Sequence, residues 1–311
     1  SNPPGHELEA VQFLASLLRS EGISSRVLEP VPGRANLYAR LPGTGEEPPL
    51  VLLHHVDVVP AETDQWLVDP FSGVIRDRAV WGRGALDMKG LGTVHLMAFL
   101  ALHRLGVPLN RDVVLLATAD EEAGGNLGMA WLFDNHRQLF EGVGMVLTEG
   151  GMNVVSAGRL SYVGIELSQK VPLWLRLTVS GSSSHGSVLR LESPAQRLVR
   201  ALGRVLDYQS PVRVEPPVAR FLRRIAPYQP VALQPLFQAP RKVLEDRRLL
   251  DKFGRFYQSL FVNTVNLTVL RSGEATNVVP PFALAELDCR LLPSQNPDVF
   301  IQELRMLIGD P

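Results

Sequence analysis

Cysteine is nearly absent from this chain, which has one, Cys289, among 311 residues. A single cysteine cannot form a disulfide within the chain, and it cannot supply the several thiolates of a cysteine zinc site. A disulfide framework and a cysteine zinc site are therefore both excluded.

An excess of charge of one sign is also missing. The chain has 31 Lys plus Arg and 32 Asp plus Glu, for a net charge of −1. Proteins that bind nucleic acid or a membrane surface usually present a basic face to that partner. The balance argues against both kinds of partner.

No apolar run reaches the ~18 residues that span a bilayer. The best candidate, residues 90–107, is interrupted by His95, His103 and Arg104. It predicts a buried helix and no membrane span. The compartment is left open, with the cytoplasm slightly favoured and export as the alternative.

The first part of the chain alternates apolar strands with helices. Strands are predicted at 36–41, 49–55, 113–117 and 143–148, and helices at 5–21, 88–106 and 126–138. The run from Leu50 to Leu53 is uniformly apolar, as in a central strand that is covered on both faces. This order predicts an α/β domain with a largely parallel central sheet over residues 1–170.

The pattern changes in residues 171–311. Strands are predicted at 174–180, 262–271 and 282–291, and helices at 193–208, with Ser193 as N-cap, and at 297–308. The order β-α-β-β-α is that of a ferredoxin-like α+β domain without its last strand, so we expect a domain that is truncated at the C-terminus. Residues 210–261 form an insertion. Its charged stretch 241–257 is predicted to be a solvated helix face in preference to a binding patch.

Residues that can bind metal follow each of the three central strands. In an open α/β sheet, ligands bind beyond the carboxyl ends of the strands. The candidates are His55, Asp57, Asp87, Glu121, Glu122 and Glu149. Carboxylates gathered in this way repel one another unless cations lie between them, and a mixed nitrogen and oxygen shell suits zinc.

The spacing within these motifs separates possible roles. His55 and Asp57 share a face of a strand, so His55 can bind a metal while Asp57 holds its other ring nitrogen. His54 points the opposite way and is predicted to be a core histidine. Glu121 and Glu122 diverge, so one can bind metal while the other acts as general base. A Glu-Glu pair alone is more often surface charge, but four such motifs in this order favour an active site.

With these motifs, the sequence resembles the aminoacylase, glutamate carboxypeptidase and carboxypeptidase S group of two-zinc metallopeptidases. The matching stretches are HHVDVVP at 54–60, WGRGALDMKG at 81–90, ADEEAGG at 119–125, TEGG at 148–151, GSSSHGS at 181–187, NVVP at 277–280 and Arg290. The resemblance runs from about residue 6 to the end of the chain.

The resemblance implies a metal ligand set. His55 and Glu149 would hold one zinc, Glu122 would hold the second, and Asp87 would bridge both, with a cis peptide after Asp87. The family supplies a further histidine near its C-terminus as a ligand to the second zinc, and no residue here matches it. We therefore expect two ions in a complete site and depletion of one of them in this chain.

The resemblance also implies catalytic and substrate-binding residues. Glu121 would be the general base and Asp57 would orient His55. Residues 1–170 would be the catalytic domain and residues 171–311 the lid domain through which subunits pair. His185, in the lid, would reach into the partner subunit's active site and stabilise the oxyanion. Asn277 and Arg290 would grip the substrate's carboxylate, which a bidentate arginine contact suits.

The implied activity is metal-dependent hydrolysis of an amide or peptide bond next to a free carboxylate. The substrate would be an N-acyl amino acid or a short peptide, and the lid would form a homodimer. Glu149 together with the long insertion favours the carboxypeptidase S and N-acyl-amino-acid hydrolase branch. The alternatives are a catalytically incomplete relative that binds an N-acyl amino acid and a lid-mediated dimerisation module. The intact Glu121 argues against a mere binder, which needs no general base.

Overall fold

The computed structural model describes residues 2–190 and 192–309. The chain forms two compact units, Ser1–Gly150 and Gly151–Pro311. The functional division predicted at residue 170 and this structural boundary do not coincide. Residues 151–170 fall in the second unit, where Tyr162 packs against the core of the insertion.

The first unit is built on a five-stranded sheet of order β1-β2-β6-β3-β7. Its strands are β1 (Ser25–Val31), β2 (Arg34–Leu41), β3 (Leu50–His55), β6 (Val113–Thr118) and β7 (Met145–Leu147), and a separate hairpin joins β4 (Val74–Arg76) to β5 (Ala79–Trp81). Strand β3 is parallel to β6 and β7, whereas β2 is antiparallel to β1 and β6. The α/β architecture is confirmed, with a mixed sheet whose parallel part carries the predicted ligands.

Three helices cover this sheet: α1 (Leu8–Ser20), α2 (Leu91–Arg104) and α3 (Met129–Asn135). Leu115 of β6 packs with Leu18 of α1 and Phe99 of α2 in one core cluster. Leu116, the next residue of β6, packs with Leu132 of α3 in another. Successive side chains of a strand point to opposite faces, so β6 is buried on both faces, as its apolar sequence predicts.

Residues Ala85–Arg104 are long and apolar enough to cross a membrane by length and composition alone. This is weak evidence, because the core helix of a soluble protein passes the same test. One face of α2 is buried through His95, Leu96, Phe99 and Leu100, and Leu96, Phe99 and Leu100 belong to the core beside the sheet. The structure thus gives α2 the role of a core helix.

The second unit contains an antiparallel sheet of order β10-β14-β12. The strands of this sheet are β10 (Val171–Ser180), β12 (Thr264–Ser272) and β14 (Phe282–Leu291). Two separate pairs are formed by β8 (Asn153–Ser156) with β9 (Arg159–Val163) and by β11 (Ser184–His185) with β13 (Val278–Val279). The helices are α4 (Pro194–Leu206) and α8 (Pro297–Ile308). Helices α4 and α8 pack on the sheet through Leu198 and Phe300. Ser193 caps α4 in a capping box with Gln196, as its sequence predicts.

The insertion folds around a small core of its own. It contains α5 (Pro216–Ile225), α6 (Gln234–Gln238), α7 (Arg255–Gln258) and short 3-10 turns, and its core includes Leu222, Phe237, Phe253 and Phe261. The prediction of one charged helix over 241–257 is wrong. Asp246 is extended (φ −139°, ψ 102°) and its side chain accepts the Arg248 N–H, so one turn ends there and another begins.

Candidate metal centre

The first unit brings its predicted ligands to one edge of the sheet. Because β3 runs parallel to β6 and β7, their carboxyl ends meet at the same edge. His55 is the last residue of β3, Glu121 begins a 3-10 turn shortly after β6, and Glu149 follows β7 by two residues.

His55 lies at the centre of this group. Its side chain is buried, and its Nε2 lies 3.0 Å from Oδ1 of Asp87, 3.7 Å from Oε1 of Glu149 and 4.0 Å from Oε2 of Glu121. The three carboxylates are partly exposed, at 63%, 37% and 54% of their side-chain surface. A buried imidazole nitrogen thus faces a ring of accessible oxygens.

The other ring nitrogen of His55 faces Asp57. Nδ1 lies 3.0 Å from the Asp57 main-chain oxygen and 3.3 Å from its Oδ1. Burial lowers the pKa of His55, but the hydrogen bond with Asp57 and the charges of Asp57, Glu121 and Glu149 outweigh it and raise the pKa to about 9. In the metal-free site, the proton on His55 therefore occupies the place that a cation can take.

Two overlapping groups of side chains have ligand atoms within 4.8 Å of one another: His55 with Glu121 and Glu149, and His55 with Asp87 and Glu122. Burial and the charge of Asp87 raise the pKa of Glu122. Burial also raises the pKa of Glu149, and it does so against the charge of His55, with support from Asp87 and Glu121. A divalent cation would relieve this crowding of carboxylates. One imidazole nitrogen with several carboxylate oxygens is a zinc-type donor set, so the residues fit the metal.

Asp87 is delivered by an irregular helical turn over Ala85–Gly90. The Asp87–Met88 peptide is cis, as the resemblance implies. Gly84, just before the turn, has φ +79°, and a Cβ there would collide with the side chain of Val58. Both observations require glycine at the entry to this loop.

Asp57 supports the site from behind. Its Oδ1 accepts the main-chain N–H of Glu121 at 3.2 Å and its Oδ2 accepts that of Glu122 at 3.1 Å. Burial raises the pKa of Asp57, but hydrogen bonds from His55, Asn2 and the backbone outweigh it and lower the pKa overall. Asp57 therefore stays ionised while it holds both the histidine and the glutamate turn.

Behind Asp57 lies a network of buried charged and polar side chains that the sequence did not predict. Arg34 pairs with Glu7 through Nε and Nη2 at 2.5 and 2.8 Å, and Nη2 also reaches Asp120 at 2.8 Å. Asn2 joins Asp120 to Asp57. No local sequence pattern identifies Arg34 as part of this network. The Pro-Pro-Gly turn that follows Asn2 is the one local feature of the sequence near these residues.

His54 has the role predicted for it. It is 2% exposed, and its ring lies 6.1 Å from that of His95 in the helix behind the strand. Burial and the neighbouring His95 and His55 lower the pKa of His54 to about 4. His54 is thus a neutral packing residue and faces away from the carboxylates.

The remaining predicted site residues lie in the second unit. His185 of β11 pairs with Val278 of β13, and its Nδ1 lies 2.8 Å from Oγ of Ser187. The main-chain N–H of Gly186 donates to the main-chain oxygen of Asn277 at 2.7 Å. The fold thus brings His185 of β11 close to Asn277, which immediately precedes β13.

β13 precedes the first residue of β14, Phe282, whereas Arg290 lies near the opposite end of β14. Arg290 forms a two-point ion pair with Asp288, at 2.7 and 3.0 Å. Eight residue steps separate Phe282 from Arg290, which is about 26 Å of strand. The structure therefore does not bring Arg290 together with the His185 and Asn277 pair within one unit.

Comparison with known sequences gives a consistent family. The sequence profile of Peptidase family M20/M25/M40 matches residues 51–281. Aminoacylase-1 of Sus scrofa is 29% identical over 298 residues, which are 95% of this chain and 63% of that protein. Succinyl-diaminopimelate desuccinylase of Methylorubrum populi is 36% identical over 200 residues, 61% of this chain and 50% of that protein. The chain thus spans less than two thirds of the length of these relatives.

Solved structures show the same fold. The M20 family metallo-carboxypeptidase Sso-CP2 from Sulfolobus solfataricus superposes with a TM-score of 0.71 at 22% identity, over 97% of this chain and 70% of that one. Human carnosine dipeptidase 1 superposes with a TM-score of 0.59 at 17% identity, over 96% and 67%. With a profile match over most of its length, this chain belongs to Peptidase family M20/M25/M40.

Proposed function

We propose that this chain is the catalytic part of a zinc-dependent amidohydrolase that cleaves an amide or peptide bond next to a free carboxylate. The observation that carries the proposal is the convergence of Asp87, Glu121 and Glu149 on the buried Nε2 of His55. The second ligand group adds Glu122. A binding protein has no need for a free carboxylate beside such a ligand set.

The two overlapping groups support the proposed ligand roles. As the family resemblance implies, His55 and Glu149 would hold one ion, Glu122 would hold the other, and Asp87, 3.0 Å from His55, would serve both. The geometry also groups Glu121 with His55 and Glu149. We assign Glu121 to proton transfer instead, because its Oε2 lies 4.0 Å from His55 Nε2, farther than the oxygens of Asp87 and Glu149.

The reaction needs an activated water and a proton acceptor. Zinc, when bound, lowers the pKa of water to about 7 and polarises a carbonyl group. Glu121 takes a proton from the attacking water and passes it to the leaving amine. Asp57 fixes the position of Glu121 through its main-chain N–H and keeps Nε2 of His55 directed at the ligand group.

The second unit supplies substrate contacts. His185 and Asn277 come together from a partner subunit. His185 stabilises the oxyanion, and Asn277 binds the substrate's carboxylate together with Arg290 of the first subunit. The separation along β14 between Arg290 and the His185 and Asn277 pair supports a site shared between two subunits. The protein is then a homodimer joined through residues 171–311. Location in the cytoplasm stays a prediction.

The substrate class is an N-acyl amino acid or a short peptide. Similarity to proteins named aminoacylase and desuccinylase supports an N-acyl substrate, since both names describe removal of an acyl group from an amine. A metal ion beside a carboxylate-binding arginine also suits a peptide with a free C-terminus.

The test is hydrolysis of paired substrates by the zinc-loaded protein. N-acetyl-methionine should be cleaved, whereas its methyl amide, which lacks the free carboxylate, should be cleaved at least about tenfold more slowly because it loses the charged contact. A matched sample treated with chelator controls for metal dependence. Equal rates on both substrates would refute the carboxylate requirement, and no hydrolysis by zinc-loaded protein would refute the activity.

A further inference from the structure

Two buried carboxylates behind the metal centre share one amide donor. Nδ2 of Asn2 lies 3.0 Å from Oδ2 of Asp57 and 3.0 Å from Oδ1 of Asp120. The three residues are 3%, 5% and 5% exposed. An amide nitrogen carries two hydrogens, so it can donate one to each carboxylate. Without this donor, the two carboxylates would face each other across a buried gap and repel.

Asp57, on one side of Asn2, sets the position of three site groups. Its carboxylate accepts the N–H of Glu121 and of Glu122 and lies beside Nδ1 of His55. The oxygen that Asn2 holds, Oδ2, is the one that accepts from Glu122. A shift of the Asp57 carboxylate would therefore displace the glutamate turn and rotate the histidine.

Asp120, on the other side of Asn2, is firmly anchored. It has φ +68°, its Oδ2 accepts the Leu127 N–H at 3.0 Å, and its Oδ1 also accepts from Arg34. Because these contacts fix the Asp120 carboxylate, the Asn2 amide that donates to it is also fixed and can hold Asp57 in place.

Asn2 is itself held in place by its backbone. Its N–H donates to the Val58 oxygen at 2.7 Å, and Arg34 donates to the Pro4 oxygen at 2.9 Å. Gly5 has φ +79°, and a Cβ there would collide with the Arg34 guanidinium. The segment that carries Asn2 is thus bound to the loop that follows β3 and to the first residue of β2.

We propose that Asn2 is a positioning residue of the metal centre and acts through Asp57. The proposal rests on the metal site of the proposed function, but it does not require hydrolysis. Asn2 is buried, and its amide donates to Asp57 and Asp120, neither of which is among the proposed metal ligands. Its effect on metal binding therefore depends on an intact Asp57 carboxylate, as for other groups that orient metal ligands.

The experiment is a double-mutant cycle read by metal affinity. Metal-free wild type, Asn2→Ala, Asp57→Ala and the double variant are titrated with Co²⁺, whose visible absorption reports ligand geometry. We expect Asn2→Ala to weaken Co²⁺ binding by about tenfold and to change the spectrum. In the Asp57→Ala background, Asn2→Ala should not weaken Co²⁺ binding further, because the carboxylate through which Asn2 acts is already absent.

Controls separate positioning from general loss of stability. Asn263→Ala removes a buried side chain of the second unit whose Oδ1 accepts the Leu292 N–H, and it should leave Co²⁺ affinity unchanged. Urea unfolding establishes that each variant is folded before titration.

Three results would overturn the proposal: unchanged affinity in Asn2→Ala, additive losses in the double variant, or an equal loss in Asn263→Ala. Wild type that binds Co²⁺ but hydrolyses no substrate would refute the proposed function and leave this inference standing. Wild type that binds no Co²⁺ would overturn both.

Discussion

Oδ1 of Asp57 accepts the main-chain N–H of Glu121 at 3.2 Å, although the two residues are 64 positions apart in the chain. Asp57 also lies beside Nδ1 of His55. The proposed general base and the proposed histidine ligand are thus supported by one carboxylate. Such shared support keeps a proton acceptor and a metal ligand in fixed register.

Replacing Glu121 by Gln should remove catalysis and keep the metal. The amide cannot accept the proton, so kcat should fall by about 10²- to 10⁴-fold while KM changes little. Steady-state kinetics with metal content measured on the same samples tests this. The exposed Glu245→Gln in the insertion is a matched control that should behave as wild type. Full activity in Glu121→Gln would assign the proton transfer to another group.

Zinc binding should release a proton from His55. Its pKa is raised to about 9, so below that pH the metal-free imidazole is protonated and zinc has to displace the proton. Zinc affinity should therefore increase with pH until about pH 9. Calorimetry at pH 7.5 in two buffers of different ionisation enthalpy should detect about one proton released per chain. An affinity that does not change between pH 6.5 and 9 would contradict the raised pKa.

Replacing Arg34 by Met should destabilise the first unit. Glu7 and Asp120 would lose a buried cationic partner, and breaking a buried pair by removing one partner costs about 3–5 kcal/mol. Urea unfolding measures the loss. The exposed Arg26→Met should change the free energy of unfolding by no more than about 0.5 kcal/mol. Equal stability of the two variants would show that the Arg34 network contributes nothing.

Mixed dimers test the shared active site. His185→Ala and Glu121→Gln should each be inactive alone, because one lacks the oxyanion contact and the other lacks the base. When equal amounts are mixed and allowed to exchange subunits, half of the dimers are mixed and each has one intact site. About a quarter of wild-type activity should return. No recovery, with exchange verified by labelled subunits, would place His185 in its own subunit's site.

Uniform apolar runs and strand-end chemistry made much of the structure predictable. The strand around Leu50 to Leu53 has its predicted bounds within one residue, and β14 and α8 have theirs. His55 and Glu149 could be placed together because parallel strands end at one edge. In each case the signal is local, or follows from a simple rule of topology.

The missed features depend on contacts between distant segments. Strand β1 is half exposed, and its pairing with β2 has no sequence signature of its own. The bridge from Asn2 to Asp120 spans 118 residues, so no periodicity could reveal it. In the insertion, a charged stretch suggested one helix. Val243 and Phe253 are both buried in a separate core, and the chain between them forms short turns in place of one continuous helix.

The most direct test of the metal centre is the zinc content of the purified protein after dialysis against metal-free buffer. We expect close to one zinc per chain, because among the described residues His55 is the one histidine in both ligand groups and offers only Nε2 to a metal. The zinc should be absent from a folded His55→Ala variant. A folded wild type that retains no zinc, or a His55→Ala variant that retains as much as wild type, would contradict the metal centre described above.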